Sequence, residues 1–133
     1  STLSPSSAAS DVYKRQPRLQ GEAPWSRVAH QARDYLHAHL HEDIGLEQLA
    51  AATGESRFVV SRAFKAEFGL PPHAYLIQLK LTRAREGLAL GRTPAAVAAD
   101  LGFADQSHLG RWFRRAYQLT PAHYRRLCTN LPD

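Results

Sequence analysis

The 133-residue sequence predicts an all-α fold of about seven helices, arranged as two helix-turn-helix units joined by a long connecting helix. Three observations carry that prediction. No segment alternates apolar and polar residues with the two-residue period of a half-buried strand, while apolar residues recur at helical spacing along most of the chain. The helical stretches begin at residues suited to capping (Ser56, Thr93 with Pro94, Asp105, Thr120 with Pro121) and stop at Gly54, Gly69, Gly91 and Gly102. The chain also repeats itself, residues 94–124 being the better-preserved copy of residues 46–75. At a shift of 48, Ala50, Ala51 and Gly54 pair with Ala98, Ala99 and Gly102. One inserted residue moves the shift to 49, where Arg62, Phe64, Lys65, Phe68, Leu70, Pro72 and Tyr75 pair with Arg111, Phe113, Arg114, Tyr117, Leu119, Pro121 and Tyr124. A period seen only twice is too short for a solenoid and describes two supersecondary units with a connector.

Residues 1–26 are rich in Ser, Ala and Pro, lack an apolar period and start without Met. They read as a disordered tail, a linker from a missing N-terminal domain or a cloning remnant, with Trp25 able to pin their end onto the fold. Residues 27–133 read as one double helix-turn-helix domain, with a first unit at about 28–70, a connecting helix at about 72–90 and a second unit at about 93–127. Helix one follows from Val28, Ala32, Tyr35, Leu36 and Leu40 on one stripe and is expected to end near His41. After a break at Glu42–Gly45, helix two runs from Leu46 to Thr53 with Leu46, Leu49 and Ala50 inward, and helix three from the Ser56 cap to Phe68. Helix four starts at Pro72 and reaches about Leu90, roughly 28 Å at 1.5 Å per residue, long enough to hold two units most of a DNA turn apart. Helix five ends at Leu101 and Gly102, helix six runs from the Asp105 cap through Tyr117, and a short helix seven carries Tyr124, Arg125, Arg126 and Leu127.

Composition narrows the function classes. With 44% apolar residues the chain can build a core, and no apolar run approaches the eighteen or so residues that span a bilayer. The expected location is the cytoplasm and no membrane partner is expected. The single Cys128 excludes an internal disulfide framework and a cysteine-based zinc site, and its position near the C-terminus suits a small surface residue. Charge is unevenly placed. Residues 28–55 carry one arginine against five carboxylates, a net charge of −4, whereas residues 56–126 carry twelve Lys or Arg against four carboxylates, a net charge of +8. A surface of that sign suits a polyanion.

The helical period then says which side chains face out. On helix three Val60, Ala63 and Phe64 share the buried face, leaving Phe58, Ser61, Arg62 and Lys65 on the other side. Helix six repeats this, with Leu109, Trp112 and Phe113 buried, Ser107, Arg111 and Arg114 outward and Gln106 in the first turn. Arg can donate a bidentate pair to guanine and Gln to adenine, and an apolar ring such as Phe58 can pack on a thymine methyl or on the unit's own surface. A lone arginine is best explained as a solvated charge, but Arg62 and Arg111 stand at equivalent positions of two copies. Lys65, Arg114 and Arg115 suit phosphates, which position a protein without specifying sequence. His37 and His41 share a helix face at i, i+4, yet His39 points elsewhere and no carboxylate completes a metal motif, so favourable interaction with the helix dipole is the preferred explanation. No metal, cofactor or catalytic residue is assigned.

The two copies GESRFVVSRAFKAEFGLPPHAYL and LGFADQSHLGRWFRRAYQLTPAHYR resemble the DNA-binding domain of the AraC/XylS family of bacterial transcription regulators over roughly residues 28–127. The most specific part is GF-x-D-x-SH-x-x-R-x-F followed by TP-x-x-YR, here from Gly102 to Tyr124 and Arg125. The resemblance implies two recognition helices entering successive major grooves on one face of double-stranded DNA, with Phe58, Ser61, Arg62, Gln106, Ser107 and Arg111 at the bases. It places Arg57, Lys65, Gly110, Arg114 and Arg115 at phosphates, implies RNA polymerase as a candidate partner, and implies an effector-binding domain outside this chain. Two departures stand out: Lys80 replaces the usual connecting-helix arginine and loses its guanidinium fork, and Gly110 replaces a larger residue at a DNA-facing position, reducing readout there.

The competing expectation is a helical protein-interaction module that uses its basic face on an acidic partner. A metal hydrolase built on His30, His37 and His41 is remote, because the sequence supplies no nucleophile, acid-base pair or phosphate-binding glycine loop.

Overall fold

The computed structural model describes residues 24–130. Within them lie α1 (Pro24–Ala38), α2 (Leu46–Thr53), α3 (Arg57–Phe68), α4 (Pro72–Ala89), α5 (Pro94–Asp100), α6 (Gln106–Tyr117) and α7 (Pro121–Thr129), and among the described residues there is no strand. The tail expected over residues 1–26 lies outside the described residues as far as residue 23. Residues 24–26 correct that expectation by forming the first turn of α1, a place proline tolerates because its missing N–H has no intrahelical partner there. Trp25 is 58% exposed. At its other end α1 stops at Ala38, short of His41, because His39 turns back on the helix: its Nδ1 lies 3.0 Å from the Tyr35 carbonyl and its ring stacks on Tyr35 at 4.0 Å.

Caps start the later helices where the sequence places them. The Ser56 hydroxyl accepts from the Val59 N–H at 3.2 Å, Thr93 from Ala96 at 3.2 Å, Asp105 from His108 at 2.8 Å and Thr120 from His123 at 3.1 Å. Each satisfies one amide that the first helical turn leaves without a partner. Gly69 ends α3 at φ +85°, and at the matching position Gln118 ends α6 at φ +67°, a left-handed conformation that a side chain adopts only with strain.

The helices build two cores. The first gathers Ala29, Ala32, Leu36, Leu49, Val60, Ala63, Phe64 and Leu76, and the second Ile77, Leu81, Ala84, Leu88, Val97, Ala98, Phe103, Leu109 and Phe113. An aromatic trio repeats in both: Phe64 meets Phe68 at 4.8 Å and Tyr75 at 5.3 Å, while Phe113 meets Tyr117 at 4.8 Å and Tyr124 at 5.7 Å. Helix α4 supplies Leu76 to one core and Ile77, Leu81, Ala84 and Leu88 to the other, so it is a shared wall, and Leu101 packs against both. Arg125 of α7 donates from Nε to the Gly91 carbonyl at 2.8 Å, closing the end of α4. Trp112, expected in the core beside Phe113, is only half-buried and lies at the seam between α4 and α6.

The two units also touch directly. Lys80 of α4 is buried, 4% exposed, and donates from Nζ to the Glu42 carbonyl at 2.9 Å while lying 5.6 Å from the centre of the Phe103 ring. Beside it the Gly102 backbone presses on the same loop, so closely that a Cβ there would stand 2.2 Å from the His41 carbonyl oxygen. Gly54, its counterpart in the first unit, has the same φ of +76° but open space around it.

That pair isolates the inter-unit contact. Gly54→Ala is expected to cost about 1 kcal/mol, the ordinary strain of a left-handed alanine. Gly102→Ala carries the same strain and a collision with backbone, and is expected to cost at least about 2 kcal/mol more in chemical denaturation. Equal losses would reject the close approach. Burial holds the Lys80 pKa below the usual lysine value of 10.5, with the Asp43 carboxylate acting in the opposite direction. The unfolded chain therefore binds more protons at this site between the lowered folded value and 10.5, and stability rises with pH across that window. Denaturation between pH 7 and about 10.5 is expected to show the protein gaining on Lys80→Met as pH rises.

Candidate nucleic-acid interface

In each unit a short helix, a glycine turn and a longer helix place one capped helix at the surface with its apolar side on the core. On α3, Val60, Ala63 and Phe64 are buried, and Phe58, Ser61, Arg62 and Lys65 line a shallow concavity of about 410 Å³ together with Ala66. Phe58 is 72% exposed, a large apolar surface held in water, whereas Ser61 is half-buried and Arg62 and Lys65 are exposed.

Helix α6 buries Leu109 and Phe113 and turns Gln106, Ser107, Gly110, Arg111 and Arg114 outward. These five line a concavity of about 500 Å³, whose other wall is made by Pro94 of α5 and by Thr120, Pro121 and Ala122. The structure thus brings each predicted set together, one on α3 and one on α6. Arg115 is placed between two surfaces: it lines a shallow concavity of about 550 Å³ with Arg111, Arg114 and Gln118, and its guanidinium lies 5.1 Å from the centre of the Trp112 ring, bordering an apolar groove with Pro71, Ala74, Ile77, Leu81 and Trp112. Arg57 is exposed but engaged, its Nη1 3.0 Å from the Glu47 carboxylate.

Charge pairing separates the arginines further. Arg33 contacts Asp34, Arg57 contacts Glu47 and Arg92 contacts Asp100, whereas among the described residues Arg62, Lys65, Arg111 and Arg114 have no carboxylate within ion-pairing distance. The outward faces of α3 and α6 therefore present free cations beside hydrogen-bonding and apolar side chains, which suits a surface that meets an anion.

The histidines have local partners. His37 Nε2 lies 2.9 Å from the Tyr75 hydroxyl and His30 Nε2 3.2 Å from the Glu67 carboxylate, both tying α1 to neighbouring elements, and His41 sits 3.8 Å from Glu42. His108, in the SH pair of the sequence motif, has the Ala104 N–H 3.2 Å from Nδ1 and the Trp112 Nε1–H 3.2 Å from Nε2. A neutral imidazole accepts at one nitrogen only, so one tautomer ties His108 to the turn before α6 through the Ala104 N–H and the other ties it to Trp112 one turn on. The helical period shows neither the His108 contacts nor the second wall formed by Pro94 and Thr120–Ala122: His108 is marked in the sequence only by the SH of the motif, and the wall only by capping pairs, which fix helix starts and not what those starts stand beside.

The profile of the helix-turn-helix domain family matches residues 49–127. The HTH-type transcriptional regulator MtrA of Neisseria gonorrhoeae is 33% identical over 88 residues, 64% of this chain and 29% of that protein. The regulatory protein PocR of Salmonella typhimurium is 33% identical over 107 residues, 80% of this chain and 35% of that protein. The chain spans about a third of the length of these curated relatives. Among solved structures it is similar to the DNA-binding domain of the global transcriptional factor AdpA in complex with a target DNA, at a TM-score of 0.70 and 30% identity, covering 74% of this chain and 90% of that one. With the profile matched over more than half of its length, on the two-unit helical fold described above, the chain belongs to the AraC-type helix-turn-helix family.

Proposed function

We propose that the chain binds double-stranded DNA sequence-specifically, α3 and α6 entering successive major grooves, and that it regulates bacterial transcription. The observation that carries this reading is the pair of unneutralised cation faces at matching positions of two units, Arg62 and Lys65 on α3 and Arg111 and Arg114 on α6. The similarity to a domain solved on its target DNA supports it, and supports it over an acidic protein partner. The family is one of DNA-binding regulators and not an enzyme family.

In this reading Phe58, Ser61, Arg62, Gln106, Ser107 and Arg111 meet base edges, where guanidinium and amide groups have two-donor or donor-acceptor matches to guanine and adenine. Lys65 and Arg114 lie one turn further along each helix and meet phosphates. Arg57 and Arg115 belong to the phosphate set as well, Arg57 after leaving Glu47 and Arg115 from its place on Trp112. We further propose that the full-length protein carries an effector-binding domain, works in the cytoplasm and engages RNA polymerase, in keeping with a transcription regulator; the regulators MtrA and PocR, of whose length the chain spans 29% and 35%, support a regulatory role.

Titration of labelled duplexes at several salt concentrations is expected to show log affinity falling with log salt at about −0.9 per phosphate contact. A flat response would reject DNA binding. Arg111→Ala is expected to cost about 1–3 kcal/mol of binding and to relax preference at one base pair, whereas Arg114→Ala should weaken all duplexes alike and lower the salt slope by about 1. Uniform loss from Arg111→Ala, measured over a panel of single-base operator variants, would move that residue to the backbone.

A further inference from the structure

The seam between α4 and α6 lacks the bridge that crosses from α1 to α3 in the first unit. At the shift that pairs Arg62 with Arg111, Trp112 and Ala116 of α6 stand where α3 has Ala63 and Glu67. Ala63 is buried, and the Glu67 carboxylate reaches His30 of α1 at 3.2 Å. Ala116 has no side chain to reach across with, and Trp112 stands half-buried at the edge of the second core. Between these two residues and α4 runs a groove of about 420 Å³.

Its deepest lining is Ile77 and Leu81, members of the second core at 8% and 3% exposure, and its sides include Ala74, Trp112 and Ala116. His73, Gln78 and Arg115 are the polar side chains that border it, all three exposed, and no carboxylate is among the lining. Two of them stand by the indole: the His73 ring meets the Trp112 ring edge-on at 6.5 Å, and the Arg115 guanidinium lies 5.1 Å from its centre. Among the described residues Arg115 has no carboxylate within ion-pairing distance. A concavity of a few hundred cubic ångströms with apolar walls and a few polar groups has the form of a small-molecule site, whereas a stable protein partner needs about 800 Å² of contact on each side.

We infer that this groove binds a small aromatic monocarboxylate, its rings against Ile77, Leu81 and the Trp112 indole and its carboxylate on Arg115. Each part of that ligand follows from the lining. Flat apolar rings suit the flat indole, and seating them removes water from the apolar edges that the fold leaves exposed. A guanidinium offers a carboxylate two parallel N–H donors, and a groove with one permanent cation and no acid selects a single negative charge. The site goes beyond the DNA-binding reading and does not rest on it. Arg115 also lines the concavity with Arg111 and Arg114, so an occupant of the groove holds one side chain of the α6 cation face.

Naphthoate added to isotopically labelled chain tests this by NMR. The indole N–H signal of Trp112 is expected to move and that of Trp25, exposed on α1, to stay in place, with Trp25→Phe assigning the two. Half-saturation is expected at about 1 mM or below, as for a ligand of that size. Naphthamide, which has the same shape without the charge, should bind about tenfold more weakly, and Arg115→Gln should erase the difference. Ala116→Leu fills the groove from an exposed position and should abolish the shift while cooperative unfolding is retained. A Trp112 signal that stays fixed up to about 10 mM naphthoate would overturn the inference, and so would equal affinity for acid and amide or full binding by folded Ala116→Leu. Movement of the same signal on raising the protein concentration alone would give the groove to a second copy of the chain and overturn it as well.

Discussion

Lys80 is 4% exposed, and a cationic side chain withdrawn that far from water needs partners to keep its proton; it has the Glu42 carbonyl at 2.9 Å, the Phe103 ring face at 5.6 Å and the Asp43 carboxylate as an attractive charge. Those partners come from different places in the chain. Glu42 and Asp43 belong to the loop after α1, Phe103 to the turn between α5 and α6, and Lys80 to the helix that joins the units. Gly102 lies against His41 in the same junction, where there is no room for a side chain. Desolvation outweighs the attraction, as the lowered pKa shows, so the contact is a specifying one more than a stabilising one. Rotating either unit about α4 would strand a buried ammonium and an unpaired carbonyl.

With the junction in place, α4 cannot act as a loose tether. Its eighteen residues cover about 27 Å, and the residues on its inner side divide between the two cores, Tyr75, Leu76 and Leu79 to the first and Ile77, Leu81, Ala84 and Leu88 to the second. Leu101 touches both cores. The orientation of α3 relative to α6 is thus set by packing at the middle of the molecule, away from the outward faces. Those faces are free to change in sequence without altering the geometry that presents them.

This division explains what could be read from the sequence. Ser56, Asp105, Thr93 with Pro94 and Thr120 with Pro121 are local signals that act within one turn, and the helices begin where they stand. The outward sets on α3 and α6 followed from a 100° step and two apolar anchors, because a helix in contact with a core on one side has no freedom to rotate. What could not be read depends on partners distant in the chain. Lys80 looks like one more surface charge until Glu42 is placed over it; Arg57 looks free until Glu47, ten residues earlier, is brought beside it. Trp112 shares a stripe with Phe113 yet reaches the α4 seam, where the second core ends and Arg115 covers it. The start of α1 was missed because Pro24, Trp25 and Ser26 carry no periodic signal of their own.

The repeat preserves some properties of the outward faces and discards others. Arg62 and Arg111, and Lys65 and Arg114, keep a cation at matching places, and Ser61 and Gly110 keep a small residue. Arg57 stands against Gln106 and Phe58 against Ser107, so the first turns of the two helices differ in charge, size and hydrogen-bonding capacity. In the proposed complex Lys65 and Arg114 supply attraction that no base sequence alters, whereas the residues set at base edges carry the donor patterns that discriminate. In that reading Phe58 offers only apolar surface, so the first unit has two directional groups to aim, Ser61 and Arg62, against Gln106, Ser107 and Arg111 in the second. In the proposed complex similar attraction and dissimilar reading are what two copies on one junction can combine, because the junction would hold both faces to one duplex regardless of which face makes the more exacting contacts.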